Sequence, residues 1–366
     1  MKTHSVLLGT LLAVGLIVPA SQAQQKESPP VKLTMIAMNL YAVLDGSGAR
    51  GGAFVGDSAV LLIDAKMDQR SVNQTIAEVK KITDKPIKYL INTHSDGDHV
   101  RGNQFFPATV TFIAHENCRK DFFLAGRDGA ASEWNKPELL PFVPSVTFRD
   151  RMDLYLGSKE LELWYFGVGH TTGDIVVFFP AEKTAFIGDQ AFVTRPQLIH
   201  SYKGGNSFEH VKTLTKMLST LDADKFYSGH EEVLDRAAIR KHIEEMTAMQ
   251  EKVKALAAQG KTLADLKGQF KEGEARLIES IYQEVSKPQV RRAPWERGRP
   301  GRRGSAGILP APRRAGRPRS HRGGGNADTE HVSGATPAVH RRRSAPGKPA
   351  TGLAGARQAN CSIIRR

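Results

Sequence analysis

The segment Asn92-Thr93-His94-Ser95-Asp96-Gly97-Asp98-His99 decides the fold and the chemistry of this chain. It follows a mostly apolar run at residues 87–91, which predicts a strand that ends just before the segment. Imidazole and carboxylate groups are the usual ligands of zinc and related divalent ions. One such residue would be typical of a solvated turn, but four potential ligands within six residues predict a hydrolytic metal site in a loop at a sheet edge.

Three later segments repeat this arrangement of a strand followed by a potential ligand. They are Gly169-His170-Thr171-Thr172-Gly173-Asp174, Gly188-Asp189 and Gly229-His230. The last two follow apolar runs at residues 184–187 and 226–228. Each segment therefore places a His or an Asp just past a predicted strand.

The order and spacing of these segments resemble the metallo-β-lactamase superfamily, whose signature is His-x-His-x-Asp-His, then Gly-His-Thr-x-Gly, then Asp, then His. The resemblance covers roughly residues 31–250 and is closest to the glyoxalase II-like, general hydrolase branch. It implies an α+β fold, the four-layer αββα sandwich. It also implies a dinuclear metal site whose ligands are His94, Asp96, Asp98, His99, His170, Asp189 and His230.

The resemblance also divides these residues between two metal ions. His94 and His170 would hold the first ion, Asp98, His99 and His230 the second, and Asp189 would bridge the two. Asp98 would in addition orient the attacking water, which makes it the predicted catalytic residue.

Asp96 departs from the signature, because the family usually has its second histidine at this position. Carboxylate is a competent zinc ligand but a harder one than imidazole. We therefore expect two divalent ions, zinc first, with manganese or iron favoured more than in relatives that have the histidine. A weak or empty first site is the alternative.

Asp189 indicates the branch of the superfamily, since the branches that cleave antibiotics usually carry Cys or Ser at the bridging position. A bridging aspartate favours a general metallohydrolase over a β-lactamase proper, with lactam opening as a side activity. Attack by a metal-bound hydroxide would cleave an ester, thioester, lactone or lactam bond of a small acyl substrate. The alternative from another class is a non-catalytic, metal-dependent binding protein of the same fold.

The residues outside these motifs leave the substrate open. Arg195, His200, Tyr202 and Lys203 follow Asp189 in a loop, and an ordinary polar surface loop is favoured over a cleft lining. No residue pattern predicts an oligomeric state.

The elements around the motifs mix strands with helices, as expected for two sheets flanked by helices. Strands are predicted near residues 33–44, 52–55, 59–63, 87–91, 110–114, 161–166, 175–179 and 184–187. Helices are predicted near residues 69–82, 208–221 and 236–258, with two short helices between 262 and 285. Residues 31–285 should form one hydrolase domain.

The two ends of the chain are expected to lie outside that domain. Residues 1–23 have the form of a signal peptide, with Lys2, an apolar core at 6–18 and the small-residue site Ser21-Gln22-Ala23. That core is shorter than the roughly 20 residues of a transmembrane helix. We therefore expect a periplasmic or secreted protein with no transmembrane segment after cleavage of the signal.

From Arg291 to Arg366 the chain turns to Arg, Gly, Pro and Ala, a composition that predicts disorder. This segment holds 18 Lys and Arg against three acidic residues, so the net charge of +14 arises almost wholly there. It could bind nucleic acid or an anionic membrane, but nucleic acid is disfavoured because Trp295 is its one aromatic residue. A non-native extension is the favoured interpretation.

Overall fold

The computed structural model describes residues 27–286. The predicted signal peptide and the predicted tail from 291 to 366 lie outside the described residues. Among the described residues, none of the helices combines the length and the apolar character needed to cross a membrane.

The first sheet contains seven strands in the order in which they occur along the chain. The first four pair antiparallel, and the pairs β4–β5, β5–β6 and β6–β7 are parallel. The strands are β1 Lys32–Ala37, β2 Leu40–Leu44, β3 Gly51–Val55, β4 Val60–Ile63, β5 Ile87–Ile91, β6 Thr111–His115 and β7 Val146–Phe148.

The second sheet contains six strands, with β13 at one edge and β8 at the other. Its pairs are antiparallel except for β11 and β12, which run parallel. The strands are β8 Arg151–Leu156, β9 Lys159–Trp164, β10 Val176–Phe179, β11 Thr184–Gly188, β12 Lys225–Ser228 and β13 Leu234–Asp235.

Seven α-helices accompany the sheets in the described part of the chain. They are α1 Gln69–Ile82, α2 Gly97–Val100, α3 Glu116–Asp121, α4 Ser207–Thr220, α5 Arg236–Ala258, α6 Leu263–Lys267 and α7 Ala275–Ser286. The Asp68 side chain caps α1 by accepting a hydrogen bond from Ser71 N at 2.8 Å. Asn206 and Asp235 cap α4 and α5 in the same way. Polar side chains therefore fix where the three long helices begin.

The two sheets pack face to face, and helices cover their outer faces. Phe54 of β3 and Phe179 of β10 meet between the sheets, with ring centroids 5.0 Å apart. Val72 and Val79 of α1 pack on the outer face of the first sheet. Helices α4 and α5 cover the second sheet in a separate apolar cluster. This layering is the αββα sandwich, so the predicted fold class is confirmed.

The structure corrects the predicted elements in two places. The predicted strand at 33–44 is a hairpin, β1 and β2, whose turn contains Asn39 with a φ of 63°. The turn contains neither Gly nor Pro, so the apolar run masks it. Strands β7, β8 and β13 were not predicted, because β7 and β13 have three and two residues and β8 lies at a sheet edge with mostly exposed or half-buried side chains.

The layer between the sheets yields a stability prediction. Phe179→Ala should lower the free energy of unfolding by about 3–5 kcal/mol, because it leaves a cavity beside Phe54 in a fully buried layer. Chemical denaturation measures this difference. Tyr155→Ala on the exposed side of β8 is the control and should change little. A loss below 1 kcal/mol at Phe179 would contradict the assignment of this layer as the main core.

Candidate metal centre

The predicted ligands meet because the strands that carry them end at one edge of each sheet. Strands β4 and β5 are parallel, so Asp64 and the 92–99 segment leave the first sheet side by side. Strands β11 and β12 are also parallel, which places Asp189 and His230 together. The Ile175 N–H donates to the Thr93 carbonyl at 2.9 Å and ties the loop before β10 to the loop after β5.

Four of the seven residues form an inner group. In His94, Asp96, His170 and Asp189, one ligand atom from each residue lies within 4.8 Å of the others, and all four residues are buried. His170 Nε2 is 2.9 Å from Asp96 Oδ2, and His94 Nε2 is 3.5 Å from the same oxygen. Asp96 therefore takes the place in the donor group that the signature gives to a histidine.

The other three residues, Asp98, His99 and His230, form an outer group with the same 4.8 Å limit. His230 Nε2 is 2.9 Å from Asp98 Oδ2, and His99 Nε2 is 3.8 Å from that oxygen. The side chains of Asp98 and His230 are 30% and 28% exposed, whereas no side chain of the inner group exceeds 10%. Solvent and substrate therefore reach the outer group first.

Asp189 lies between the two groups. Its Oδ2 is 3.9 Å from His94 Nε2 of the inner group and 3.4 Å from His230 Nε2 of the outer group. Its Oδ1 is 3.1 Å from His99 Nε2. All seven residues predicted from the sequence thus come together, with Asp189 in the position expected for a bridge.

Several buried donor atoms in the centre have no hydrogen-bonding partner. His94 Nε2, His99 Nε2 and Asp189 Oδ1 are buried and form no hydrogen bond, because the 3.1 Å contact between His99 Nε2 and Asp189 Oδ1 lacks hydrogen-bond geometry. Buried polar atoms are normally satisfied, and four imidazoles with three carboxylates form a donor set typical of zinc and related ions. The centre therefore fits divalent metal.

The electrostatics of the centre also favour cations. Burial lowers the pKa of His170, but the neighbouring Asp96 outweighs it and raises the pKa to about 9. His230 behaves in the same way, since burial is outweighed by Asp189 and Asp98 and the pKa rises to about 9. The pKa of Asp189 falls well below its usual value, because His99 and His230 outweigh the effect of burial. The carboxylates thus attract positive charge, which bound metal supplies in place of protons.

Hydrogen bonds behind the ligands fix the orientation of the imidazole rings. His99 Nδ1 lies 2.8 Å from Asp64 Oδ2, and His170 Nδ1 lies 2.7 Å from the Leu198 carbonyl. Asp64 also accepts from the Thr93 N–H and hydroxyl, both at 2.8 Å. Such partners hold the opposite nitrogen toward a metal. Sequence analysis missed Asp64, because a single carboxylate after a predicted strand does not indicate a role by itself.

The prediction of an ordinary polar surface loop at 195–203 is wrong for two of its residues. His200 and Lys203 are buried, and both contact Asp96. Arg195 is exposed and stacks on Phe192, with its guanidinium carbon 4.2 Å from the ring centroid. Tyr202 is also exposed. One part of the loop is therefore exposed to solvent, and the other part packs against the candidate ligand Asp96.

The residue before His230 must be glycine for the centre to close. A Cβ atom at Gly229 would lie 2.5 Å from Asp189 Oδ1 and 2.6 Å from His99 Cε1. No real Cβ contact is that short, so any side chain here would push two ligands apart. The Gly-His pair of the sequence motif is thus a packing requirement.

Asp64 provides a test of the ring-orienting layer. Asp64→Asn removes the negative charge that holds His99, and affinity for divalent metal should fall by about 10–100-fold. Competition with a chromophoric chelator measures that affinity. Asp222→Asn is the control, since this carboxylate pairs with Lys183 on the surface and its side chain is 83% exposed. Unchanged metal affinity in Asp64→Asn would show that His99 needs no orienting carboxylate.

Comparison with known proteins agrees with the geometry. The family model described as Metallo-beta-lactamase superfamily matches residues 52–230. Two relatives named Metallo-beta-lactamase type 2 align over most of their own length. The protein of Elizabethkingia meningoseptica is 22% identical over 267 residues, which cover 67% of this chain and 96% of the relative. That of Bacteroides fragilis is 26% identical over 238 residues, which cover 63% and 90%.

A solved structure gives the same result for the fold. The DIM-1 metallo-beta-lactamase superposes with a TM-score of 0.50 at 16% identity and covers 61% of this chain and 99% of its own. The family model and the relatives thus point to the same superfamily as the αββα sandwich and the seven converging side chains. This chain belongs to the metallo-β-lactamase superfamily.

Proposed function

We propose that this chain is an exported, dinuclear, metal-dependent hydrolase of a small acyl substrate. One observation carries the proposal: seven imidazole and carboxylate side chains converge in two adjoining groups, and several of their buried donor atoms have no partner within the protein. Export is proposed from the sequence of residues 1–23 alone.

In this proposal each donor group holds one divalent cation. His94, Asp96 and His170 would hold the inner ion, Asp98, His99 and His230 would hold the outer ion, and Asp189 would serve both. Zinc is the first choice for this donor set, and the carboxylate of Asp96 widens the choice to manganese or iron. When bound, such ions acidify water to a pKa of about 7 and polarise a carbonyl oxygen.

Asp98 would orient the water that attacks the substrate. Burial raises its pKa, but the hydrogen bond from His230 and the nearby His99 and His94 together outweigh burial and leave the pKa below its usual value. The carboxylate is therefore ionised at neutral pH and accepts hydrogen bonds from water. Because Asp98 lies in the open group, a substrate carbonyl can approach it without displacing the inner residues.

Two side chains pack in sequence next to the outer group. The buried Phe192 ring lies 5.7 Å from the His230 ring, and the guanidinium carbon of the exposed Arg195 lies 4.2 Å from the centre of the Phe192 ring. The apolar Phe192 ring would hold His230 in place. The exposed guanidinium beside it would favour substrates that carry a negative charge.

The bond cleaved would be an ester, thioester, lactone or lactam. Asp189 at the bridging position favours a general hydrolase of the glyoxalase II type. β-Lactam cleavage is the second candidate, because two relatives that align over 90% or more of their own length carry the name Metallo-beta-lactamase type 2. A panel containing one substrate of each bond type distinguishes the two candidates by their relative kcat/KM values.

Asp98 gives the sharpest test of catalysis. Asp98→Ala removes a ligand and the water-orienting carboxylate. The value of kcat/KM on the best panel substrate should therefore fall by about 10²–10⁴-fold. Circular dichroism should show an unchanged fold, and Asp222→Ala on the surface is the matched control. Activity within tenfold of the unmodified protein would exclude this role for Asp98.

Metal removal tests the cofactor independently of any residue. Protein purified without chelator should contain close to two equivalents of divalent metal by elemental analysis. Dialysis against a chelator should abolish hydrolysis, and added zinc, manganese or ferrous iron should restore it, with the best ion identifying the cofactor. Two bound equivalents without turnover of any panel substrate would favour the non-catalytic binding protein instead.

A further inference from the structure

Asp96 is held by a buried lysine that sequence analysis treated as part of a surface loop. Lys203 Nζ donates to Asp96 Oδ1 at 2.7 Å, to the Ser95 carbonyl at 2.9 Å and to Ser95 Oγ at 3.0 Å. An ammonium group has three donors, and all three are used within the protein. Lys203 therefore has no free proton to offer a substrate.

We infer that Lys203 neutralises the charge that Asp96 adds to the inner group, so that the Asp96–Lys203 pair replaces a neutral histidine and Asp96 binds the inner ion through Oδ2. Lys203 is then a positioning residue that acts through Asp96. The inference rests on the proposed metal-dependent function and assigns a role to a residue outside the ligand set.

The two oxygens of Asp96 have separate surroundings, as the inference requires. Oδ1 accepts from Lys203, whereas Oδ2 lies 2.9 Å from His170 Nε2 and 3.5 Å from His94 Nε2. His200 Nδ1 lies on the side shared by both oxygens, at 3.2 Å from Oδ1 and 3.1 Å from Oδ2. The lysine thus fixes the carboxylate so that one oxygen points at the inner histidines.

The charges of the centre explain why a lysine is needed there. With a histidine at position 96, the two groups would hold two carboxylates, Asp98 and Asp189. Asp96 makes a third in a nearly closed cavity, where an uncompensated charge is costly. One ammonium brings the net charge of the donor set back to that of two carboxylates. Toward the inner ion, the Asp96–Lys203 pair would then carry the same net charge as a neutral imidazole.

Backbone contacts place the lysine at this point. It ends the 3₁₀ turn Ser201–Lys203, whose loop is tied to the His170 segment by the bond from His200 N to the His170 carbonyl at 2.9 Å. Thr172 N donates to the Lys203 carbonyl at 3.2 Å. A Cβ atom at Gly205 would lie 2.1 Å from the His170 carbonyl oxygen, so only glycine permits this contact. The loop that carries Lys203 therefore packs directly on the segment that carries His170.

A double-mutant cycle on metal binding tests the inference. The full chain is prepared as Lys203→Met, as Asp96→His and as the double variant, and zinc content and affinity are measured by elemental analysis and chelator competition. Lys203→Met alone should lose the zinc ion of the inner group, because the zinc affinity of that group should fall at least tenfold. In the Asp96→His background the same change should leave the affinity equal or higher, since a neutral imidazole needs no counter-charge.

Cobalt substitution adds a spectroscopic measurement that a purely structural role would not affect. The visible absorption of the cobalt protein should lose the inner-site component in Lys203→Met and keep it in the double variant. Lys203→Arg retains the charge and should keep the second equivalent, which provides a test that does not depend on Asp96→His folding.

Lys66→Met is the matched control. Lys66 is also a buried lysine, but its Nζ donates to the carbonyls of Asp45 and Ala49 and to none of the donor groups. Its loss should lower the midpoint of thermal unfolding but leave two equivalents of zinc bound per chain.

The possible results separate this inference from the proposed function. Equal loss of metal on Lys203→Met in both backgrounds would show that Lys203 merely anchors its loop, and no loss in either would show that Asp96 needs no counter-charge. Loss of the second equivalent in Lys203→Arg as well as in Lys203→Met would likewise overturn the inference. Absence of metal from the unmodified protein would instead overturn the proposed function itself.

Discussion

The structure depends on the placement of several carboxylates in one cavity whose inner half is closed to water. Asp96 and Asp189 are buried and Asp98 is only partly exposed, and buried negative charges are stable only when cations balance them. Without metal the balancing cations are the Lys203 ammonium, which pairs with Asp96, and histidines whose pKa values the carboxylates raise. Two divalent ions would replace those protons, so the same charges that make the metal-free centre costly provide its affinity for metal.

The fold supplies this cavity by bringing strand ends together. The 92–99 segment follows a strand of the first sheet, whereas Asp189 and His230 follow parallel strands of the second. The apolar layer between the sheets fixes their spacing. The hydrogen bond from the Ile175 N–H to the Thr93 carbonyl joins the ligand-bearing edge of one sheet to that of the other. Candidate metal ligands from distant parts of the chain are thereby held on segments that are anchored at strand ends.

The sequence predicted what local patterns encode and missed what tertiary contacts create. The seven candidate ligands were found because they follow apolar runs in the order and spacing of the superfamily signature that the chain resembles. Asp64 follows such a run as well, but a single carboxylate is no signal until β4 and β5 are known to be neighbours. Lys203 lies 107 residues from Asp96 in the chain, so only the folded loop shows that the two form a pair. The β1–β2 hairpin was missed because a local signal is lacking: its turn contains neither the Gly nor the Pro that marks most turns.

The different exposure of the two groups limits what the aspartate at position 96 can change. Asp96 lies in the closed inner group with both oxygens engaged, whereas substrate reaches the outer group through Asp98 and His230. Replacement of the usual histidine would therefore alter the strength and choice of an inner ion rather than the surface that meets the substrate. Specificity would instead come from exposed side chains near the outer group, such as Arg195, which stacks on the Phe192 ring beside His230. Metal preference and substrate preference would thus be determined by separate parts of this centre, and one could change without the other.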